Sequence, residues 1–494
     1  MKRIPSFCLP LALLVACTSS SNGGSPSANP DGGLDATSGG DDGGAADDGS
    51  EGADGDAGVP DTFAWAQVFP AGSGSAVTAM ASDASGVVVV GQITGAAVIG
   101  STTLTATAGE GNAFVAKLDP TGKVLWAEIA SGSASIFEAV AVDASGNITV
   151  SGAEYGDAPG PITFAGTPLS PNTSGTIGGR SVSSAGGLLG RLDASGNVTW
   201  MKLGETTTAI DFGSLAFSGT HVVVAGALNG NAAFGPGETL PAICSNATNE
   251  CVFFAAYDAA TGTPQWGLLA PSTPARGNAA ADPHQVHVGT DAAGNIFLGI
   301  GGYFEGAGST DDTELVVNKY DPTGALTWNK VFTSSTSDTP NLQGFAVDTT
   351  GNSYLLGSGA TSLDGNTSSS FIAKLDPTGN TSWVQSLQSS PVGTTGLALG
   401  ASLLTFGNGD DPSGILSGSN TLTPMNLGAF DPAAGKLTSS VVCGIAGGQG
   451  EAVAVDAAAT YVAGEGTSPG IFGHVQIPAA ADAGSGGIFV AKLK

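Results

Sequence analysis

Residues 114–126 read FVAKLDPTGKVLW. A short apolar-rich run meets Asp119, Pro120 to Gly122 follow as a turn, and a second short run ends at Trp126. An Asp that hydrogen-bonds its own turn backbone and a Gly that tolerates positive φ are what a tight connection between antiparallel strands requires. The stretch returns at 188–200 (LLGRLDASGNVTW), 315–328 (LVVNKYDPTGALTW) and 371–383 (FIAKLDPTGNTSW). Each copy is a predicted β-hairpin.

A second kind of hairpin stands beside the first. Residues 139–152 read AVAVDASGNITVSG, with counterparts at 79–91, 215–226, 288–299, 345–357, 397–407 and 453–464. That makes seven units of two hairpins, about 62 residues each, over 61–494. A repeat on this scale, built from short Val/Ile/Leu/Phe runs and Gly/Asp/Asn turns with no helical period, predicts an all-β chain. The expected architecture is a seven-bladed β-propeller of four-stranded blades. The last unit stops at 488–493 (IFVAKL), a third strand with no Trp strand after it. Residues 62–69 (TFAWAQVF) are a Trp strand with no partner before it. Joined, the two complete one blade, close the ring and hide two sheet edges. All six Trp (65, 126, 200, 266, 328, 383) then fall at one position per blade, with Ser439 in the sixth, and are expected between adjacent blades.

The run 114–126 with 139–152 resembles the bacterial seven-bladed propeller repeats known as SBBP, over essentially all of 61–494. That resemblance implies a secreted or surface protein and specifies no activity. Residues 256–266 (AYDAATGTPQW) also resemble the tryptophan-docking pattern of pyrroloquinoline-quinone enzymes, and outer-membrane assembly propellers share a similar repeat. The chain has no adjacent Cys pair of the kind such quinoproteins often carry, so the motif is read as blade packing and no cofactor is assigned.

Lys2 and Arg3 precede a short apolar stretch broken by Pro5 and Pro10, too short to span a bilayer and typical of an export signal. It ends in Leu14-Val15-Ala16-Cys17, which resembles the lipobox of bacterial lipoproteins. The resemblance implies a signal peptide over 1–16, lipidation of Cys17, and, with Thr18 following, the outer membrane or cell surface. Residues 17–60 add nine acidic side chains, no basic one and no aromatic; such a segment cannot bury enough apolar surface to order itself and reads as a tether. The net charge is −28, and 61–494 holds 33 acidic against 12 basic residues. That balance excludes nucleic acid and anionic lipid surfaces as partners of the propeller. It suits a soluble monomer with neutral or cationic ligands. In the oxidising compartment that export implies, Cys244 and Cys251 are expected to form a disulfide, and Cys443 a small buried apolar residue.

Candidate chemistry is sparse. Residues 466–470 (GTSPG) match G-x-S-x-G without the strand–turn–helix setting a nucleophile elbow needs. His284 and His287 lie three apart beside Asp282; on a strand they point to opposite faces, in a loop they could converge. No metal site and no catalytic residue is assigned. Glu138, Gln343 and Glu451 occupy equivalent places before their innermost strands, with Thr78 in another blade, and are candidates for the rim of the central channel. The turns are uniform and the loops between second and third strands vary, 153–186 most of all; function on a rigid scaffold concentrates in such loops. The expected role is a surface-tethered, non-enzymatic propeller that binds protein or carbohydrate through its loop face. The alternatives are a secreted propeller enzyme, hydrolytic or quinone-dependent, and a purely structural surface protein.

Overall fold

The computed structural model describes residues 63–494 apart from 155–160, 170–175, 178–179, 182–183, 207–208, 230–231, 236–237, 241–250, 274–276, 279–284, 305–311, 334–339, 364–365, 388–395, 409–424, 443–447, 467–469, 473–474 and 478–485. The predicted signal, Cys17, the acidic tether, Asp282, Cys244, Cys443, His284 and the centre of the GTSPG motif lie outside the described residues.

The chain is an all-β, seven-bladed propeller of four-stranded blades. Each blade is an antiparallel sheet whose strands run A to D from the axis outward. Blade 2 shows the plan: A is Ser135–Val142, B is Ile148–Glu154, C is Ser184–Leu192 and D is Val198–Thr206. The A strands of blades 1 to 7 are Ala76–Asp83, Ser135–Val142, Ser214–Ser218, Val286–Thr290, Asn341–Val347, Leu397–Leu399 and Gly448–Val455. Each neighbours the next, and the seventh neighbours the first, so they enclose the axis. B strands are almost wholly buried, as Gly86–Ile93 illustrates, because they are covered on both faces by adjoining blades.

The ring closes as the repeat count required. Phe63–Ala71 is the D strand of blade 7 and pairs antiparallel with its C strand, Gly486–Leu493, from Phe63↔Leu493 to Ala71↔Gly486.

The Trp positions seal the blade boundaries more specifically than packing alone. Trp65, Trp126, Trp200, Trp328 and Trp383 each donate the indole Nε1–H to a carbonyl in the C–D turn of the next blade, at Pro120, Ala194, Ala259, Pro377 and Pro432, over 2.9–3.2 Å. The ring lies on the glycine of that turn: a Cβ on Gly122 would stand 2.7 Å from Trp65, and one on Gly435 2.5 Å from Trp383. Lys492, Lys319 and Lys374 face these Trp across the C–D ladder and reach the same Pro120, Pro377 and Pro432 carbonyls at 3.3–3.4 Å. Trp266, whose turn best matches the quinoprotein pattern, makes no such bond and instead meets Phe254 edge-on at 5.4 Å.

The variable B–C connections hold an element the repeat did not reveal. In blade 1 it forms the hairpin Ala96–Ile99 and Thr102–Thr105, which extends blade 7 outward from Phe63–Ala71. Blade 2 sends Ile162–Phe164 and Thr167–Leu169 onto Val124–Gly132, the D strand of blade 1. Blade 3 sends Ala232–Gly235 and Glu238–Leu240 onto the D strand of blade 2. These hairpins are straps. Ile162, Phe164 and Leu169 are buried in the core shared by blades 1 and 2.

Candidate functional site

The rim residues expected from sequence sit at one recurrent irregularity. In blades 1, 2, 5 and 7 the A–B ladder skips one residue: Thr78, Glu138, Gln343 and Glu451. Each is the extra residue of a β-bulge, which bends the strand and re-aims the side chain. The bulges lie in the half of the A strand away from the A–B turn, so they mark the end of the channel where the A strands are entered. In blade 3 the corresponding stretch, Asp211 to Gly213, separates Ala209–Ile210 from Ser214–Ser218, both paired with His221–Asn229. Blade 4 has an unbroken ladder there.

In blades 1, 2 and 5 the glycine that ends the B-strand motif stands beside the bulge. Gly91, Gly152 and Gly357 stand opposite Val77, Phe137 and Leu342, the residues just before the bulge. A Cβ on Gly152 would lie 2.1 Å from the Ile136 carbonyl oxygen, and one on Gly91 2.0 Å from that of Ala76. The motif glycine alone does not mark the bulge, since Gly299 ends the same motif opposite His287 in the unbroken ladder of blade 4.

Thr78 at the rim and His287 on the blade 4 inner strand tie neighbouring blades together. The Thr78 hydroxyl donates to the Phe137 carbonyl of blade 2 at 2.5 Å. His287 Nε2 lies 3.0 Å from the Leu342 carbonyl of blade 5, so it is the protonated nitrogen of that contact. Both carbonyls belong to the residue before a bulge. His287 is thus a bridge between blades, while His284 lies outside the described residues. Among the described residues no group of three or more His, Cys, Asp or Glu is placed to hold a metal ion.

Glu138 is buried; Gln343 and Glu451 are half-buried. B strands bring further polar residues to the same end. Gln92, Glu154 and Glu465 pair with Ala76, Ser135 and Gln449, at the entrance of their A strands. Sequence reading missed these three; the signal was their place one or two residues beyond the motif glycine. Burial pushes the Glu465 carboxyl above the usual carboxylate range. No A strand carries Lys or Arg. Lys117, Arg191, Lys319, Lys374 and Lys492 all lie on C strands near the opposite, turn end, where Arg191 pairs with Asp143. Between bulge and turn the A strands carry small apolar residues such as Ala79, Ala81, Ala139, Ala141, Ala346 and Ala454. The entry end of the A strands is therefore rich in polar and acidic residues, and between bulge and turn those strands carry small side chains.

The chain matches no family model and no curated protein sequence. Among solved structures, the WD40 β-propeller domain of Doa1 resembles it at 10% identity over 88% of this chain and 96% of that one, with a TM-score of 0.43. The polysaccharide lyase Uly1 does so at 9% identity over 84% and 89%, TM-score 0.43. The quinohemoprotein alcohol dehydrogenase of Comamonas testosteroni does so at 12% identity over 88% and 77%, TM-score 0.35. Likenesses this distant assign the chain no activity.

Proposed function

We propose that this chain is an exported, lipid-anchored recognition propeller that binds a neutral or cationic ligand, a glycan or a protein, at the bulged end of its channel. The carrying observation is the coincidence of Thr78, Glu138, Gln343 and Glu451 at bulges on A strands that have no basic residue. Hydrogen-bonding side chains on a rigid ring suit polyhydroxylated or cationic groups, and the acid-rich rim disfavours anions. The role is binding without catalysis, and no cofactor is needed for it. The variable loops contribute less than their length suggests, since three of them supply straps. The membrane attachment rests on Leu14 to Cys17, with 17–60 as spacer and 61–494 as the propeller. The Cys244–Cys251 pairing is supported by Cys251, whose sulfur is disulfide-bonded at the start of the strand Cys251–Asp258.

The test is binding of the full chain to a glycan array and to surface proteins, beside Glu138→Ala and Glu451→Ala variants. Saturable binding weakened at least tenfold by either substitution supports the reading. Binding that both variants retain moves the site off the channel rim, and absence of binding by every form removes the recognition role.

A further inference from the structure

The two ends of the propeller differ in charge and in where the chain enters. Phe63, the first described residue, pairs with Leu493, and two residues further on the Trp65 indole reaches the C–D turn of blade 1. The clasp strand therefore starts at the turn end and runs to Ala71 at the bulged end, and Leu493 and Lys494 finish beside its start. Lys123, Lys436 and Lys494 join the five C-strand bases at the turn end. Of the 33 acidic and 12 basic residues in 61–494, the eleven Asp of the A–B and C–D turns and these eight bases stand there, which leaves 22 acids and four bases for the rest. Glu138, Glu154, Glu314, Glu451 and Glu465 are among those 22 and lie at the bulged end. The turn end is thus close to neutral, and the acidic excess of the propeller lies beyond it.

We infer that the anchored propeller stands with its turn end toward the membrane and presents its bulged end outward, so that its ligand approaches from the side away from the membrane. The inference rests on the lipid anchor and the rim site proposed above. Two independent effects point the same way. The chain joins the ring at the turn end, at Phe63. To bring the bulged end against the membrane, the preceding residues would have to pass around blade 7, which restricts their conformations. An anionic bilayer also repels the acid-rich end more strongly than the near-neutral one, over a Debye length of about 8–10 Å. Neither effect needs contact between the propeller and lipid.

Energy transfer to the membrane tests this. The full chain, lipidated on Cys17 and carrying Cys443→Ala, is placed on vesicles of phosphatidylcholine and phosphatidylglycerol that bear an acceptor dye on the lipid headgroup. A donor dye is attached at Ser195→Cys, in the C–D turn of blade 2, or at Ser73→Cys, in the connection that enters the blade 1 A strand; both serines are exposed. The two ends stand about 25–30 Å apart, the rise of strands of eight or nine residues, so transfer should be about twofold or more higher from the Ser195 position. Ala144→Cys, in the A–B turn of blade 2, and Gly109→Cys, where an added Cβ meets nothing within 4 Å, form a second pair at the turn and bulged ends and should give the same order. Where one labelled variant is misfolded, the other pair decides. Equal transfer within a folded pair, or higher transfer from its bulged end, overturns the inference while leaving the anchor in place. A chain that stays off the vesicles removes the anchor itself, and the orientation with it.

Discussion

At the scale of single residues, the blade boundaries depend on who else serves the carbonyl that the indole reaches. Pro377 O accepts from both Trp328 and Lys319, whereas Ala259 O accepts from Trp200 while Arg191, the equivalent base, is turned to Asp143. Replacing either Trp by Phe keeps most of the packing and removes one donor, a loss of about 0.5–1.5 kcal/mol. The Trp200→Phe variant should lose more thermal stability than Trp328→Phe, since its carbonyl is left without a second partner; equal losses in a melting experiment would contradict this. The turn aspartates make a second prediction. The Thr323 hydroxyl, 2.6 Å away, holds the Asp321 carboxyl below the usual carboxylate range; desolvation opposes it, and the Ala325 and Thr323 amides add to it. Asp119 and Asp376 are lowered in the same way, by Thr121 and Thr378, and Asp193 chiefly by the Asn197 side-chain amide. A carboxyl depressed on folding contributes stability that is full above its unfolded value, about 3.9, and is lost as pH falls through its folded value. The melting temperature should therefore be flat near neutrality and fall below about pH 4, less steeply in an Asp321→Asn variant. A melting temperature unchanged down to pH 2.5 would show that these turns add nothing.

At the scale of elements, the straps replace free loops with structure. The turn of the blade 2 strap is Ala165-Gly166, with φ of 44° and 78°. Two positive φ values fit the hairpin turn that favours Asn-Gly, and Ala is strained there. Ala165→Asn should stabilise by about 0.5–1 kcal/mol, read as a higher melting temperature; a lower one would mean the strap turn is not formed in solution. Phe164→Ala removes a fully buried ring and should cost about 3–5 kcal/mol. If it costs nothing, the strap does not pack as described. Most of the blade hairpins were legible in the sequence because their strands are neighbours along the chain and their turns carry Asp and Gly, whereas the outer pair of blade 7, Gly486–Leu493 with Phe63–Ala71, followed only from completing the repeat. The strap hairpins have turn residues of their own, but their partner strand belongs to another blade, and nothing local announces it. The bulges were invisible for a related reason. One extra residue leaves the turn unchanged, and the strand pairing, with its register shift between Phe137 and Ala139, exposes it. Glu138, Gln343 and Glu451 could be aligned from sequence alone, whereas the inter-blade use of His287 and of the C-strand lysines needed neighbours supplied by the ring.

At the scale of the whole molecule, closure is the property that the repeat arithmetic delivered and the strand pairing confirms. Blade 7 lacks an outer strand unless Phe63–Ala71 supplies it, and without that strand the edge of Gly486–Leu493 lies open. A chain lacking residues 63–71 should therefore associate or aggregate, measured by light scattering at neutral pH; a stable monomer would mean the ring does not need its clasp. The same clasp sets a timetable. Its two strands are more than 400 residues apart in sequence, so a chain emerging amino end first exposes Phe63–Ala71 until Gly486–Leu493 has been made. Six blades can assemble in order of appearance while that strand waits, and its partner arrives after them. The ring's slowest and most vulnerable interval is thus the wait for Gly486–Leu493, when a chaperone that occupies one lone strand would protect the whole ring.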